Sequence, residues 1–179
     1  MTRREVCGAC LRRPPAFDAS VAAFEYRFPV DRLVQRFKFA GDLAAGRWLA
    51  QRLAALVGPQ PDLLVVPPLT PARLRARGFN QALEIARVVG EVTGAPVAAR
   101  ALVKTRETAP QPGLGRDARQ QNLRGAFHVA CALDGSHVAL VDDVMTTGAT
   151  AAEIARVLKR AGARRVDVWV VARTPPGRR

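Results

Sequence analysis

Val138-Ala139-Leu140-Val141-Asp142-Asp143-Val144-Met145-Thr146-Thr147-Gly148-Ala149-Thr150 joins a short apolar run, an acidic pair, a hydroxyl-rich turn and the start of a helical period. The run over 138–141 has the length and β-branched content of a buried strand. Open α/β sheets bind ligands at the carboxyl ends of their strands, where the acidic pair falls. Adjacent carboxylates there can accept hydrogen bonds from the vicinal hydroxyls of a sugar. The Thr-Thr-Gly-x-Thr segment offers backbone N–H groups at a helix start and three hydroxyls, the donors that a phosphate monoester needs. Gly148 lets the backbone turn closely around such an anion. An ordinary N-capped helix needs one Thr or Asp, not five polar residues. A Walker-B strand also ends in acids, but no G-x-x-x-x-G-K-[ST] run occurs. A receiver domain carries its acidic pair near the start of the sheet, whereas only one strand follows here. The stretch reads as a pocket for a 5′-phosphorylated ribose.

Downstream, Ile154, Val157, Leu158 and Ala161 share the inner face of a helix that Gly162 closes, and residues 166–172 form a last strand. Upstream, residues 63–66 are a continuous apolar run stopped by Pro67-Pro68. Asn80 is placed to cap a helix whose Ala82, Ile85, Ala86 and Val89 lie on one face and which ends at Gly90 or Gly94. Residues 97–103 read as a second strand, and 104–122 as a long loop rich in Arg, Gln, Pro and Gly. Alternating strands and helices imply an α/β fold with an open, mainly parallel twisted sheet flanked by helices, over residues 62–173.

The Gly58-Pro59-Gln60-Pro61 run is the expected boundary of that core. Before it, residues 20–58 form a small α+β segment, expected to act as a hood. Its strand covers 21–26, and a helix after Pro29 carries Val30, Leu33, Val34 and Phe37 on one stripe to Gly41. A second helix has Leu49, Leu53, Leu56 and Val57 on one face. The aromatics Phe24, Tyr26, Phe37, Phe39 and Trp48 are expected in the core. Residues 1–19 are irregular, and 174–179 are a polar tail expected to be disordered.

The formal net charge is +13, and only three of the 28 basic residues are lysine. Such an excess points to polyanionic partners, among them pyrophosphate, nucleotides and nucleic acid. No run approaches the ~20 apolar residues of a membrane helix, and the N-terminus lacks the apolar stretch of a secretory signal. Cytoplasmic localisation without membrane insertion is the expectation. Three cysteines exclude a disulfide framework; Cys131 is expected in the core, and His128 and His137 at the surface or a strand edge.

The stretch 138–150 resembles the signature of type I phosphoribosyltransferases. Further segments narrow the resemblance: Val65-Val66-Pro67-Pro68-Leu69, Arg73, Arg75 and Arg77 before Gly78-Phe79-Asn80-Gln81, then Thr108, Gln111, Leu114, Arg119, Asn122-Leu123 and Gly125-Ala126-Phe127. With Cys7-x-x-Cys10, Pro14-Pro15-x-Phe17-Asp18 and Phe37-Lys38-Phe39-x-Gly41, the chain resembles the competence protein F (ComF) family from Cys7 to its last strand.

That resemblance implies binding of phosphoribosyl diphosphate (PRPP) with Mg²⁺, and transfer of the phosphoribosyl group to an acceptor. Asp142 and Asp143 would take the catalytic role at the ribose hydroxyls, and Thr146, Thr147, Gly148, Ala149 and Thr150 the 5′-phosphate. Pro67, Pro68 and Leu69, with Arg75 and Arg77, would hold the pyrophosphate. Gln111, Arg119 and Asn122 would belong to a flexible loop closing over the sugar. ComF-like proteins commonly carry a zinc ribbon built from two C-x-x-C pairs. Residues 1–19 hold only Cys7 and Cys10, so an incomplete metal site and no zinc are expected. The acceptor site would come from residues 1 to about 58. The same resemblance offers a reading of another class: a competence factor that handles single-stranded DNA in natural transformation, its PRPP site regulatory or inherited. A docking module for a competence helicase is a third.

Overall fold

A computed structural model describes residues 8–12, 14–58, 60–105 and 122–175. The elements are α1 (Gly8–Arg12), β1 (Ala19–Glu25), α2 (Val30–Ala40), α3 (Leu43–Ala54), β2 (Leu63–Val65), α4 (Pro71–Arg77), α5 (Gln81–Thr93), β3 (Leu102–Lys104), β4 (Phe127–Val129), β5 (His137–Met145), α6 (Ala149–Arg160) and β6 (Arg165–Arg173). Four strands pair in the order β1-β6-β5-β2, every pair parallel, and β3 and β4 form a separate antiparallel ribbon. The fold is α/β with a parallel sheet flanked by helices, as the alternation implied.

The pleat divides the apolar side chains between two layers. Val138 and Leu140 of β5, with Val166, Val168 and Val170 of β6, pack against Ile154, Ala155 and Leu158 of α6 and against the β3–β4 ribbon. Ala139, Val141, Trp169 and Val171 face the other way, onto α2, α3 and α5. β1 lies beside β6 with Ala22 opposite Val170, so a strand from the 20–58 segment forms one edge of the core sheet. That segment and residues 62–173 share one buried layer.

Helix limits follow local chemistry. Asn80 Oδ1 accepts from Ala82 N at 3.0 Å and starts α5, whose Ala82, Ile85, Ala86 and Val89 are all buried. Gly94, at φ 75°, ends it. Gly90 lies inside the helix, and a Cβ there would come within 2.8 Å of the Ala95 carbonyl oxygen, so the close approach of the following turn requires glycine. α2 ends in a left-handed Gly41 and buries Val34 and Phe37.

Several expectations need correction. Asp42 Oδ1 caps α3 at Ala45 N, and the helix stops at Ala54, so Leu49 and Leu53 are buried while Leu56 is exposed and Val57 lies past the end. Residues 97–103 are not one strand. Val97 makes a single parallel bridge to Leu64, the chain turns through Ala98 and Ala101, and only Leu102 to Lys104 pair again. α4 was not foreseen, because residues 71–76 are all exposed and show no apolar period. Phe37 is the one fully buried member of the aromatic set; Phe39 and Trp48 are exposed, and Trp48 stacks on Phe24 with ring centres 5.7 Å apart. Cys131 is exposed, in the turn after β4. His137 opens the central strand β5 and is buried, its Nε2 3.1 Å from Asp167 Oδ2. His128 is exposed on β4.

Candidate functional site

The carboxyl end of β5 runs directly into the Thr146-Thr147-Gly148 turn and α6. Gly148 is the N-cap of α6 at φ 75°, a conformation that costs L-residues roughly 1–2 kcal/mol and glycine little. Ala149 N reaches Thr147 Oγ1 only at a long 3.4 Å. Among the described residues nothing accepts the amides of Thr150 and Ala151, so the first turn of α6 presents free N–H groups at the positive end of its dipole. Asp142, residues 144–151, and Val168 and Val170 of β6 line one small open cleft. All five residues of the expected phosphate turn are in it. Amides, Thr hydroxyls and a helix N-terminus on one concave surface suit a small dianion.

The acidic pair divides. Strand alternation turns Asp142 into the cleft on the α6 side, and Asp143 to the opposite side, against α2. Asp142 lies deep in the cleft floor and keeps part of its surface open. Burial, and then the neighbouring Asp143 charge, push its carboxyl up from 3.8 to about 7, against the lowering effects of a hydrogen bond from Asp143 N and of the Lys38 charge. Asp143 is 4% exposed. Its Oδ1 accepts from Val144 N at 2.6 Å, and its Oδ2 has no hydrogen-bond partner of good geometry. The Lys38 ammonium lies 2.7 Å from that oxygen.

Lys38, within the Phe37-Lys38-Phe39 run, has no expected role from the sequence. The signal was available: Lys38 lies four residues after buried Val34 and next to buried Phe37, at the border of the apolar stripe. Its partner, 105 residues further along, was not readable from the sequence.

The expected pyrophosphate loop adjoins the same strand end. Val65, the last residue of β2, pairs with Leu140, so residues 67–69 leave β2 two residues beyond that pairing, near the end of β5 that carries Asp142. Pro67, Pro68 and Leu69 are half-buried. Asn80 Nδ2 donates to the Pro67 carbonyl at 3.1 Å and ties this loop to the head of α5. Arg75 points from exposed α4 into solvent. Arg77 is half-buried, donates to Gln81 Oε1 and lies 5.5 Å from the Phe39 ring centre. The structure therefore brings Arg77, and not Arg75, against the neighbouring helices α2 and α5.

Of the loop residues, Asn122 is described and half-buried, while Gln111 and Arg119 lie outside the described residues. The chain re-enters at a turn held by a glutamate the sequence reading missed. Glu153 of α6 is 2% exposed; its Oε1 accepts from Gly125 N at 3.0 Å and its Oε2 pairs with Arg156. Cys10 is half-buried on α1, and Cys7 lies outside the described residues. Among the described residues no three His, Cys, Asp or Glu side chains come together as a metal cage, and no helix is long and apolar enough to cross a membrane.

The parallel α/β sheet and the cleft after its acidic strand belong to a chain whose residues 40–179 match the phosphoribosyl transferase domain family. The fold agrees: glutamine phosphoribosylpyrophosphate amidotransferase from B. subtilis superposes with a TM-score of 0.54 at 21% identity, over 77% of this chain and 30% of that one. The chain spans about a third of that enzyme's length. Among sequence relatives, DNA utilization protein YhgH of Escherichia coli K12 is 36% identical over 176 residues, 94% of this chain and 78% of that protein. Competence protein F of Haemophilus influenzae is 34% identical over 93% of this chain and 78% of its own length. Competence protein ComFC of Streptococcus pneumoniae is 29% identical over 85% and 67%. The chain belongs to the phosphoribosyltransferase domain family and, within it, to the group of competence protein F and YhgH.

Proposed function

We propose that the protein binds Mg²⁺–PRPP at the carboxyl ends of β2 and β5 and transfers its phosphoribosyl group to an acceptor. One observation carries the reading: the free amides of α6, the Thr147 and Thr150 hydroxyls and the Asp142 carboxyl line a single cleft. In it the turn 146–150 holds the 5′-phosphate and Asp142 hydrogen-bonds the ribose hydroxyls. Pro67, Pro68 and Leu69 take the pyrophosphate, with Arg77 in the wall behind them and Arg75 reaching in from solvent.

Magnesium suits this donor set as an ion carried in on the diphosphate, since it binds through one or two carboxylates plus phosphate oxygens and needs no protein cage. There it would neutralise the leaving group. The chain's own contribution is orientation and charge complementarity: anchoring the phosphate, fixing the ribose face, and setting a carboxylate near the sugar carbon that gains positive character as pyrophosphate departs. A carboxyl titrating near 7 can both donate to and accept from a hydroxyl at neutral pH.

The test is pyrophosphate release from Mg²⁺–PRPP with candidate bases added one at a time. Release that requires one acceptor and falls by at least a hundredfold in Asp142→Ala supports transfer. PRPP binding with no acceptor-dependent release would leave a binding protein in place of an enzyme. The names of the relatives and the +13 charge favour a second reading, a role in handling single-stranded DNA. The exposed arginines Arg73 and Arg75 of α4 would then contact phosphates. That reading predicts affinity falling steeply with salt, and a shallower slope in Arg73→Ala/Arg75→Ala. Binding that is absent or insensitive to salt contradicts it.

A further inference from the structure

The Lys38–Asp143 pair joins the last turn of α2 to the carboxyl end of β5, on the face turned away from the cleft. Asp143 is the one partner of Lys38 among the described residues. The pair is a poor structural clamp: Asp143 Oδ2 is buried without a well-directed hydrogen bond, and two desolvated charges of imperfect geometry hardly offset the cost of burying them. The Lys38 side chain keeps 21% of its surface exposed against 6% for Asp143, so the cation, not the carboxylate, has room to move.

Its surroundings say where it can go. Two ring contacts dock the last turn of α2 on the 77–79 turn: Phe37 against Phe79 at 5.5 Å, and Arg77 over Phe39 at 5.5 Å. Asn80, next in sequence, holds the Pro67 carbonyl. Lys38 therefore approaches β5 from the side of β2, the side from which residues 67–69 emerge. A flexible four-carbon ammonium between a buried carboxylate and an anion-binding loop can serve either partner.

We propose that Lys38 is a counter-ion exchanged on binding. In the free protein it neutralises Asp143; when a sugar diphosphate enters, the ammonium turns to the diphosphate and Asp143 is released to the ribose. This rests on the PRPP reading and adds a substrate contact from residues 30–40. No covalent bond changes; one ion pair replaces another.

The test uses calorimetry with three probes in Mg²⁺ buffer: PRPP, ribose 5-phosphate and inorganic pyrophosphate. Lys38→Met is expected to weaken PRPP tenfold or more and to leave ribose 5-phosphate unchanged or a few-fold tighter, because Asp143 is no longer engaged. Lys38→Arg, which retains the charge, should restore most of the PRPP affinity. Asp143→Asn frees the lysine and should tighten pyrophosphate several-fold while weakening ribose 5-phosphate. A merely structural pair predicts that Lys38→Met weakens PRPP and ribose 5-phosphate alike, and that Asp143→Asn does not tighten pyrophosphate; either result overturns the exchange. If Lys38→Met does not fold, the opposite signs in Asp143→Asn decide alone. A native protein that binds neither PRPP nor ribose 5-phosphate sinks the proposed function itself.

Discussion

Asp142→Asn is expected to stabilise the ligand-free protein above neutral pH. Folding raises the Asp142 carboxyl from 3.8 to about 7, so its ionised form is disfavoured in the folded state. A group with a raised folded value contributes fully below its unfolded value and loses that contribution as pH climbs through the folded one. The wild-type protein therefore carries a growing penalty between about pH 4 and 7 that asparagine, which never ionises, does not. At roughly 1.4 kcal/mol per unit, the full shift corresponds to about 4 kcal/mol. Water in the open cleft lowers that, and about 2 kcal/mol is the working expectation. For a chain of this size it equals a rise in Tm of about 4–8 °C. The assay is thermal unfolding of both proteins from pH 4 to 8.5 in phosphate-free buffer. The variant's advantage should be near zero at pH 4, grow with pH, and level off above pH 8. A difference that is flat with pH, or a variant less stable at pH 8, would refute the assignment of strain to this carboxyl.

Other positions give equally direct outcomes. Phe37→Ala removes a ring that is 1% exposed beneath Gly46 and should cost about 3–5 kcal/mol in chemical denaturation. Gly148→Ala meets only the Met145 side chain, its sulfur at 3.6 Å, so its cost is backbone strain of about 1–2 kcal/mol, together with weaker binding of phosphate-bearing ligands by calorimetry. Glu153→Ala should lower stability by about 3 kcal/mol, whereas Glu153→Gln keeps an acceptor for Gly125 N and should lose about half as much. Equal losses for the two would show that the Arg156 pairing, not the Gly125 hydrogen bond, is what the residue supplies.

Much of the fold is legible because its decisive elements are local. The 3.6-residue stripe of α5, its Asn80 cap and its Gly94 stop can be read within fifteen residues, and the turn 146–150 carries its chemistry in consecutive positions. α4 is hidden because a helix without a buried face has no apolar period. The β3–β4 ribbon is hidden because its three-residue strands meet across a long interval. The acidic pair was legible as chemistry but not as geometry. Strand alternation separates Asp142 from Asp143, and what Asp143 meets depends on where α2 docks, a long-range outcome of Phe37 packing on Phe79. His137 escaped for the same reason: its partner Asp167 lies on the neighbouring strand.

The most direct test of the central claim is calorimetric titration of the native protein with Mg²⁺–PRPP beside the Asp142→Asn/Asp143→Asn variant. A saturable one-to-one isotherm in the native protein, weakened by at least tenfold in the variant, is the predicted result. No heat of binding in the native protein, or an isotherm indifferent to both substitutions, would contradict the site.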